Sequence, residues 1–220
     1  MDTGDESMIV FEDAHIVVCR KPAGVLSEAG GMPELLRGAT GAEEIFCVHR
    51  LDRETAGLMV YAKTKAAAAA LSASVAAREL GKEYDAVVQG VPPESGELRD
   101  LLYRDAQKNK SYVVRRMRRG VREARLCYET RGQREGLSLL RIRLETGRSH
   151  QIRVQFASRG YPLVGDGKYG NAYREAPLAL FASSLAFLHP VTGEALRFEA
   201  APPEVWPWTL FSHQHEKTEP

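Results

Sequence analysis

The chain has 220 residues, with 30 Lys and Arg against 29 Asp and Glu and a formal charge of +1. That length can bury a substantial core as one large domain or two small ones. No apolar run is long enough to span a membrane and no secretory signal pattern opens at Met1, so neither a membrane protein nor an exported one is expected.

Taken in chain order, Met8–Phe11 and His15–Arg20 read as short strands, followed by the turn Lys21-Pro22-Ala23-Gly24. Residues 26–44 read mostly as loop with one short helix. Ile45–Val48 and Leu58–Ala62 are apolar runs of buried-strand type on either side of a charged segment. Thr64 can cap a helix from Lys65 to Glu79, built on the alanine run 66–70, and Gly81 is placed to end it. Strands follow at Glu83–Gln89, Ser111–Arg116, Glu123–Thr130 and Leu137–Leu144, then a helix over Ser149–Ser158. Strands at Leu180–Phe187 and Ala195–Glu199 come next, and Pro202-Pro203 starts a last short helix carrying Trp206 and Trp208. Many strands with few helices between them argue against a doubly wound parallel sheet. They indicate an α+β fold with a mixed, largely antiparallel β-sheet flanked by helices and loops. The expected division is a polar tail at 1–7, one domain over 8–211, and a second polar tail at 212–220 that includes His213 and His215.

Cys19, Cys47 and Cys127 are odd in number and lie in strand-like apolar runs. They read as buried thiols in a reducing, cytoplasmic setting, with no disulfide framework and no metal site. No Cys-x-x-Cys pair or His-Glu-x-x-His stretch suggests zinc. Charge is unevenly spread. Residues 104–125 hold nine Lys or Arg, Arg115, Arg116, Arg118 and Arg119 among them, against two acids, while residues 1–44 hold nine acids and three bases. Such a band suits docking of a polyanion on one face, or a solvated hairpin whose charges discourage edge pairing.

The segment His49-Arg50-Leu51-Asp52-Arg53-Glu54-Thr55-Ala56-Gly57 is a charged turn wedged between two core strands. It sets the Asp52 carboxylate between arginines near apolar walls, a setting that fits a nucleophile or a structural ion pair. A second segment, Gly147-Arg148-Ser149-His150-Gln151-Ile152-Arg153, closes a strand and opens a helix on which His150 and Arg153, three apart, share a face.

Together, His-Arg-Leu-Asp-x-x-Thr-x-Gly and Gly-Arg-Ser-His-Gln-Ile-Arg resemble the motifs of the RluA-type family of RNA pseudouridine synthases. Lys82-Glu83-Tyr84-Asp85-Ala86 is similar to the family's tyrosine strand. Gly165-Asp166-Gly167-Lys168-Tyr169-Gly170 is similar to its Gly-Asp-x-x-Tyr-Gly loop, and Leu185–Glu194 to its C-terminal hairpin. The segments stand in the family's order over residues 8 to 205. The resemblance implies the pseudouridine synthase fold with a central RNA-binding cleft, in the compact form without an N-terminal S4 domain. The implied activity is isomerisation of uridines in ribosomal or transfer RNA by a cytoplasmic monomer that needs neither cofactor nor metal.

The same resemblance assigns roles. Asp52 falls on the essential aspartate, suited to work at a sugar carbon because carboxylates stabilise or bond to oxocarbenium-like centres. Arg153 falls on the arginine that keeps this carboxylate ionised, and Tyr84 on the active-site tyrosine, which can stack on uracil and move a proton. Arg50 matches a residue that helps extrude the target nucleotide. His49, Arg148, His150 and Gln151 are expected to shape and line the cleft, with the 104–125 band adding RNA contacts. Two positions depart from the family: Ala56 stands where Ser is usual, and Gln155 where His is frequent. Two rival readings remain on sequence grounds. One is a non-catalytic RNA-binding or RNA-folding protein on the same fold. The other is a nucleoside or glycoside hydrolase pairing Asp52 with Glu54 or Asp166.

Overall fold

A computed structural model describes residues 8–170, 172–173 and 175–212; the expected tails, with His213 and His215, lie outside these apart from Ser212. The described chain forms two compact units. The first runs up to Lys82 and takes in Ala182–Ala200; the second comprises Glu83–Phe181 and the residues from Ala201 on. The architecture is α+β and largely antiparallel, as the strand pattern predicts.

The first unit holds strands β1 (Ile9–Glu12), β2 (Ile16–Lys21), β3 (Phe46–Cys47), β4 (Ala56–Ala62), most of β10 (Leu180–Leu188) and β11 (Ala195–Glu199), with helices α1 (Met32–Thr40) and α2 (Lys65–Ala77). Its strand order is β1-β2-β4-β10, with β11 beside β10 and β3 beside β4. β4 reads Ala-Gly-Leu-Met-Val-Tyr-Ala, and all but its first residue is buried. A continuous apolar run is what a strand covered on both faces requires. One face packs Leu58, Val60 and Ala62 with Ile16, Val18, Ala67, Leu71 and Phe187. Thr64 caps α2 as expected, its hydroxyl accepting from the Ala67 amide at 3.2 Å. Gly81 does not end this helix. Arg78 does so in the left-handed conformation, its amide donating to the Ser74 and Val75 carbonyls, and Gly81 instead opens the next strand.

That strand is β5 (Gly81–Gln89). The second unit continues with β6 (Ser95–Asp105), β7 (Lys110–Val114), β8 (Val121–Arg134), β9 (Leu137–Leu144) and helix α3 (Gln151–Ala157), in the strand order β5-β9-β8-β6-β7. The pairings β5–β9, β9–β8, β8–β6 and β6–β7 are all antiparallel. β6 has no counterpart in the strand pattern read from the sequence. Val87, Leu137, Val164, Ala179 and Phe211 form one core cluster, and Leu102, Ala124 and Val154 another. The terminal helix is a single 3-10 turn, Trp208–Leu210, so Trp206 falls before it. Of the three free cysteines only Cys19 is fully buried; Cys47 and Cys127 are partly exposed.

Gly57, inside the Asp52 motif, has φ of 121°, and a Cβ there would run into the Ala182 backbone. Gly57→Ala therefore combines backbone strain with overpacking. It is expected to cost about 3 kcal/mol in urea unfolding, where an exposed glycine of ordinary φ such as Gly38 would cost far less.

Candidate active site

In the first unit the site is a turn held from below. The Asp52 carbonyl accepts from the Thr55 amide at 3.0 Å, closing a tight turn at the mouth of β4. Lys21, at the end of β2, is 1% exposed and turns its ammonium inward. Its Nζ donates to the carbonyls of Pro22 and Val25 at 2.8 Å and of Arg53 at 3.1 Å, so one cation ties the turn of residues 52–55 to the loop after β2. The Gly24 amide donates to the Arg53 carbonyl and Arg53 Nε to the Gly24 carbonyl, both at 2.8 Å. Ser27 Oγ donates to the Leu51 carbonyl at 3.0 Å and accepts from the Leu51 amide at 3.1 Å. Burial lowers the Lys21 pKa to about 8, against the opposing pull of Glu54 and Asp52. Asp52 itself is half-buried, so it meets both solvent and the protein interior.

His49 is 8% exposed. Its Nε2 accepts from the Val60 amide at 3.2 Å, which leaves the ring proton on Nδ1. Burial, with the nearby Lys82 charge adding to it, holds its pKa well below the usual value, so the ring stays neutral. Arg50 points outward and pairs with Glu28 at 2.6 Å, both side chains being more than half exposed.

In the second unit the site is built on a buried ion pair. Arg153 is 3% exposed. Its Nε donates to Asp166 Oδ2 at 2.8 Å and its Nη2 to Oδ1 at 2.9 Å. The Lys168 and Tyr169 amides also donate to Asp166 Oδ1, at 3.0 and 3.1 Å. Burial pushes the Asp166 carboxyl up, but Arg153 and the two amides outweigh it and hold the pKa below its ordinary value. A carboxylate so bound cannot serve as the acid of a hydrolase pair. Tyr169 gathers its surroundings: its Oη accepts from the Ser111 amide at 2.7 Å and lies 2.9 Å from His150 Nδ1, and the Arg153 guanidinium sits 5.5 Å over its ring. His150 is not on the helix with Arg153. It precedes α3 with a φ of 54°, and the two side chains meet through Tyr169 instead.

Gln151 is buried. Its Oε1 accepts from Thr146 Oγ1 at 2.8 Å and from the Arg148 amide at 3.0 Å, and its Nε2 donates to the Arg125 carbonyl at 3.0 Å. Arg148 Nε donates to the Glu123 carbonyl at 3.0 Å, leaving the side chain half-exposed. Tyr84 is 5% exposed on β5, opposite Ile142 of β9. Arg115, Arg116, Arg118 and Arg119 are all exposed, and they crowd the loop between β7 and β8 rather than extending a strand to Arg116. Arg118 lies over the Tyr103 ring at 5.0 Å. At the departure Gln155, Nε2 donates to Asp100 Oδ2 at 2.7 Å, so this residue braces the fold.

A cavity of about 610 Å³ opens elsewhere in the first unit. It is lined by Glu28, Glu43 and Glu44 around Phe46, Val48 and Ala68, and its carboxylates would repel phosphate. Lys21 is the residue whose importance the sequence does not disclose, whereas Asp166 and Tyr169 stand in the family-like loop but with partners the sequence does not show, Arg153 and His150. In the sequence Lys21 is only part of a turn, and its partners lie as far as 32 residues away.

The family model for RNA pseudouridylate synthase matches residues 15–158. The ribosomal large subunit pseudouridine synthase D of Zymomonas mobilis is 36% identical over 220 residues, covering 89% of this chain and 69% of its own. That of Pseudomonas aeruginosa is also 36% identical, covering 93% and 71%. Among solved structures, human RNA pseudouridylate synthase domain containing 4 superposes with a TM-score of 0.77 at 26% identity, over 92% of this chain and 91% of its own.

Asp166→Asn would remove the buried negative charge that Arg153 and the Lys168 and Tyr169 amides bind, and loss of about 3–5 kcal/mol of stability is expected. The sign with pH is fixed. The folded carboxyl titrates below its ordinary value of 3.8, so its stabilisation is complete above that value and is lost as pH falls through the folded pKa. Urea titrations between pH 7 and pH 3 check this: wild type should lose its advantage over Asp166→Asn toward the acid end.

Proposed function

The chain belongs to the RNA pseudouridylate synthase family, and from that premise we propose that it isomerises a uridine of large-subunit ribosomal RNA to pseudouridine, with Asp52 acting at the ribose. The observation that carries the catalytic assignment is the Asp52 turn: a half-buried carboxylate on a closed turn pinned by the buried Lys21 ammonium. Fixing a charged group before substrate arrives is what electrostatic catalysis requires. The relatives' names supply the RNA class.

The reaction conserves every atom. The N1–C1′ bond of uridine breaks, the uracil turns, and a C5–C1′ bond forms; C5 gives up a proton and N1 takes one. Asp52 stabilises or captures C1′ while it lacks the base. Tyr84 offers a ring against the uracil and a hydroxyl for the proton on C5. Arg153, already fixed by Asp166, contributes a positive charge that cannot be lost at working pH. Arg50 leaves Glu28, an exposed pair worth little, to fill the space of the extruded nucleotide. The four arginines of the β7–β8 loop and Arg148 bind phosphates. His49, His150 and Gln151 serve RNA binding through the turns they hold. A cytoplasmic monomer completes the reading. A protein that only bound RNA would gain nothing from a fixed carboxylate, which repels phosphate.

Asp52→Asn is expected to lower pseudouridine formation by about 10³-fold or more while RNA affinity stays within about threefold. Chromatography of digested nucleosides, which separates the two isomers, reads the first; filter binding reads the second. Residual activity near wild type, or affinity falling in step with activity, would remove Asp52 from the chemistry. Free uracil in the digest would support the hydrolase instead. Reversing Arg115, Arg116, Arg118 and Arg119 to Glu should weaken binding and flatten its salt dependence, by about 0.7–0.9 in slope for each phosphate no longer neutralised. An unchanged slope would place the RNA elsewhere.

A further inference from the structure

The cavity of the first unit takes no part in the chemistry above, and its lining is of two kinds. Phe46, Val48 and Ala68 are half-buried and packed against the core cluster of Leu58, Val60 and Leu71. Around them stand Glu28, Glu34, Glu43 and Glu44, all exposed, with Arg37 the one basic residue of the lining among the described residues. Exposed carboxylates alone are an ordinary solvated surface. Here they surround apolar side chains that a purely polar ligand would leave uncovered. A lysine or arginine side chain matches both, its methylene stem lying on apolar surface and its charged head reaching a carboxylate. A volume of about 610 Å³ is that of a site that encloses a ligand, with room for more than one such side chain. One of the carboxylates is also tied to the Asp52 segment. Glu28 pairs at 2.6 Å with Arg50, two residues before Asp52, and both side chains are more than half exposed. Exposed pairs of this kind are worth little and are easily exchanged. Two other pairs of the lining are longer, Glu34 with Arg37 at 3.6 Å and Glu44 with Lys65 at 4.0 Å.

We propose that this groove takes a lysine- or arginine-rich segment of another protein bound to the same RNA, and that the segment draws Glu28 away from Arg50. The proposal rests on the synthase reading, in which Arg50 acts on the RNA. Proteins hold RNA by neutralising phosphates with Lys and Arg, so a neighbour on the substrate brings cationic segments. The carboxylates of the groove repel the RNA itself and attract those segments, which selects for the protein component. Without a partner, Arg50 is held on Glu28. With one, a cation of the segment takes its place, and Arg50 is free to fill the space of the extruded nucleotide. The coupling is reciprocal: the factor by which the segment tightens RNA binding is the factor by which RNA tightens the segment. Because the pair that breaks is exposed, that factor is small, about two- to threefold.

The first test needs no RNA. A short fluorescein-labelled peptide with leucines between lysine pairs is titrated with the protein, and anisotropy reads binding. Glu43→Lys combined with Glu44→Lys changes two exposed positions, so melting temperature and pseudouridine formation without peptide should stay as in wild type. Peptide affinity should fall about tenfold in that variant, and about as much when the leucines are replaced by serine. No saturable binding, or equal binding by the double variant, would overturn the groove whatever the synthase assay gives. Self-association of the protein alone in sedimentation, abolished by the double variant, would assign the groove to a second copy and refute the proposal. The second test is affinity for a large-subunit ribosomal RNA transcript in the Asp52→Asn background, with and without saturating peptide. Peptide should tighten binding about two- to threefold. Glu28→Gln should bind as tightly without peptide and gain nothing from it. An equal gain in Glu28→Gln would mean that the peptide acts on the RNA directly, and the release of Arg50 would be rejected. Peptide binding by a wild-type protein that forms no pseudouridine would leave the groove standing and reject the synthase reading.

Discussion

A buried lysine ammonium governs the Asp52 turn. Lys21 sits almost wholly inside the protein, and its charge is tolerable only because three carbonyls converge on it and two carboxylates lie near. One of those carbonyls belongs to Arg53, the residue after Asp52. The cation therefore cannot be satisfied unless the Asp52 turn is in place. The turn in turn cannot drift without stripping a buried charge of a partner, which is among the most costly things a fold can do. The reciprocal bonds of Ser27 with Leu51 and of Gly24 with Arg53 add neutral stitches along the same seam.

The second unit uses the same device with the signs reversed. There a buried carboxylate, Asp166, organises its loop by accepting from Arg153 and from two backbone amides. Tyr169 then extends the order outward to His150 and to Ser111 of β7. Arg153 is thus a fixed charge, not a mobile surface arginine on a helix. In both units the residues that touch the proposed chemistry are few, and most of the polar atoms around them are spent on holding them still. His49 and Gln151 belong to that supporting group.

Much of this was legible in the chain. β4 could be read because its apolar run is unbroken, α2 because Thr64 precedes an alanine run, and the motif residues because the resemblance named them in order. β6 escaped because Ser95–Asp105 mixes Glu97, Arg99, Asp100 and Arg104 with leucines, so its half-buried face is hidden under charge. Arg78 ended α2 where Gly81 looked the better stop, since two carbonyls of the helix were available to its amide and tertiary context tolerated a left-handed arginine. The meaning of Lys21 and Asp166 was out of reach, because each depends on partners set by tertiary structure: the Arg53 carbonyl 32 residues on, and Arg153 on a separate helix. The openness of Cys127 was likewise a matter of which face of β8 remained uncovered.

The most direct measurement is tritium release from RNA carrying 5-tritiated uridine, since forming the C5–C1′ bond must expel the hydrogen on C5. Large-subunit ribosomal and transfer RNA transcripts should be assayed separately with the wild-type protein. Release from the ribosomal transcript, reaching a stoichiometric plateau, is the predicted result. No release from that transcript, at protein concentrations that bind it fully, would contradict the assignment of this chain as its synthase.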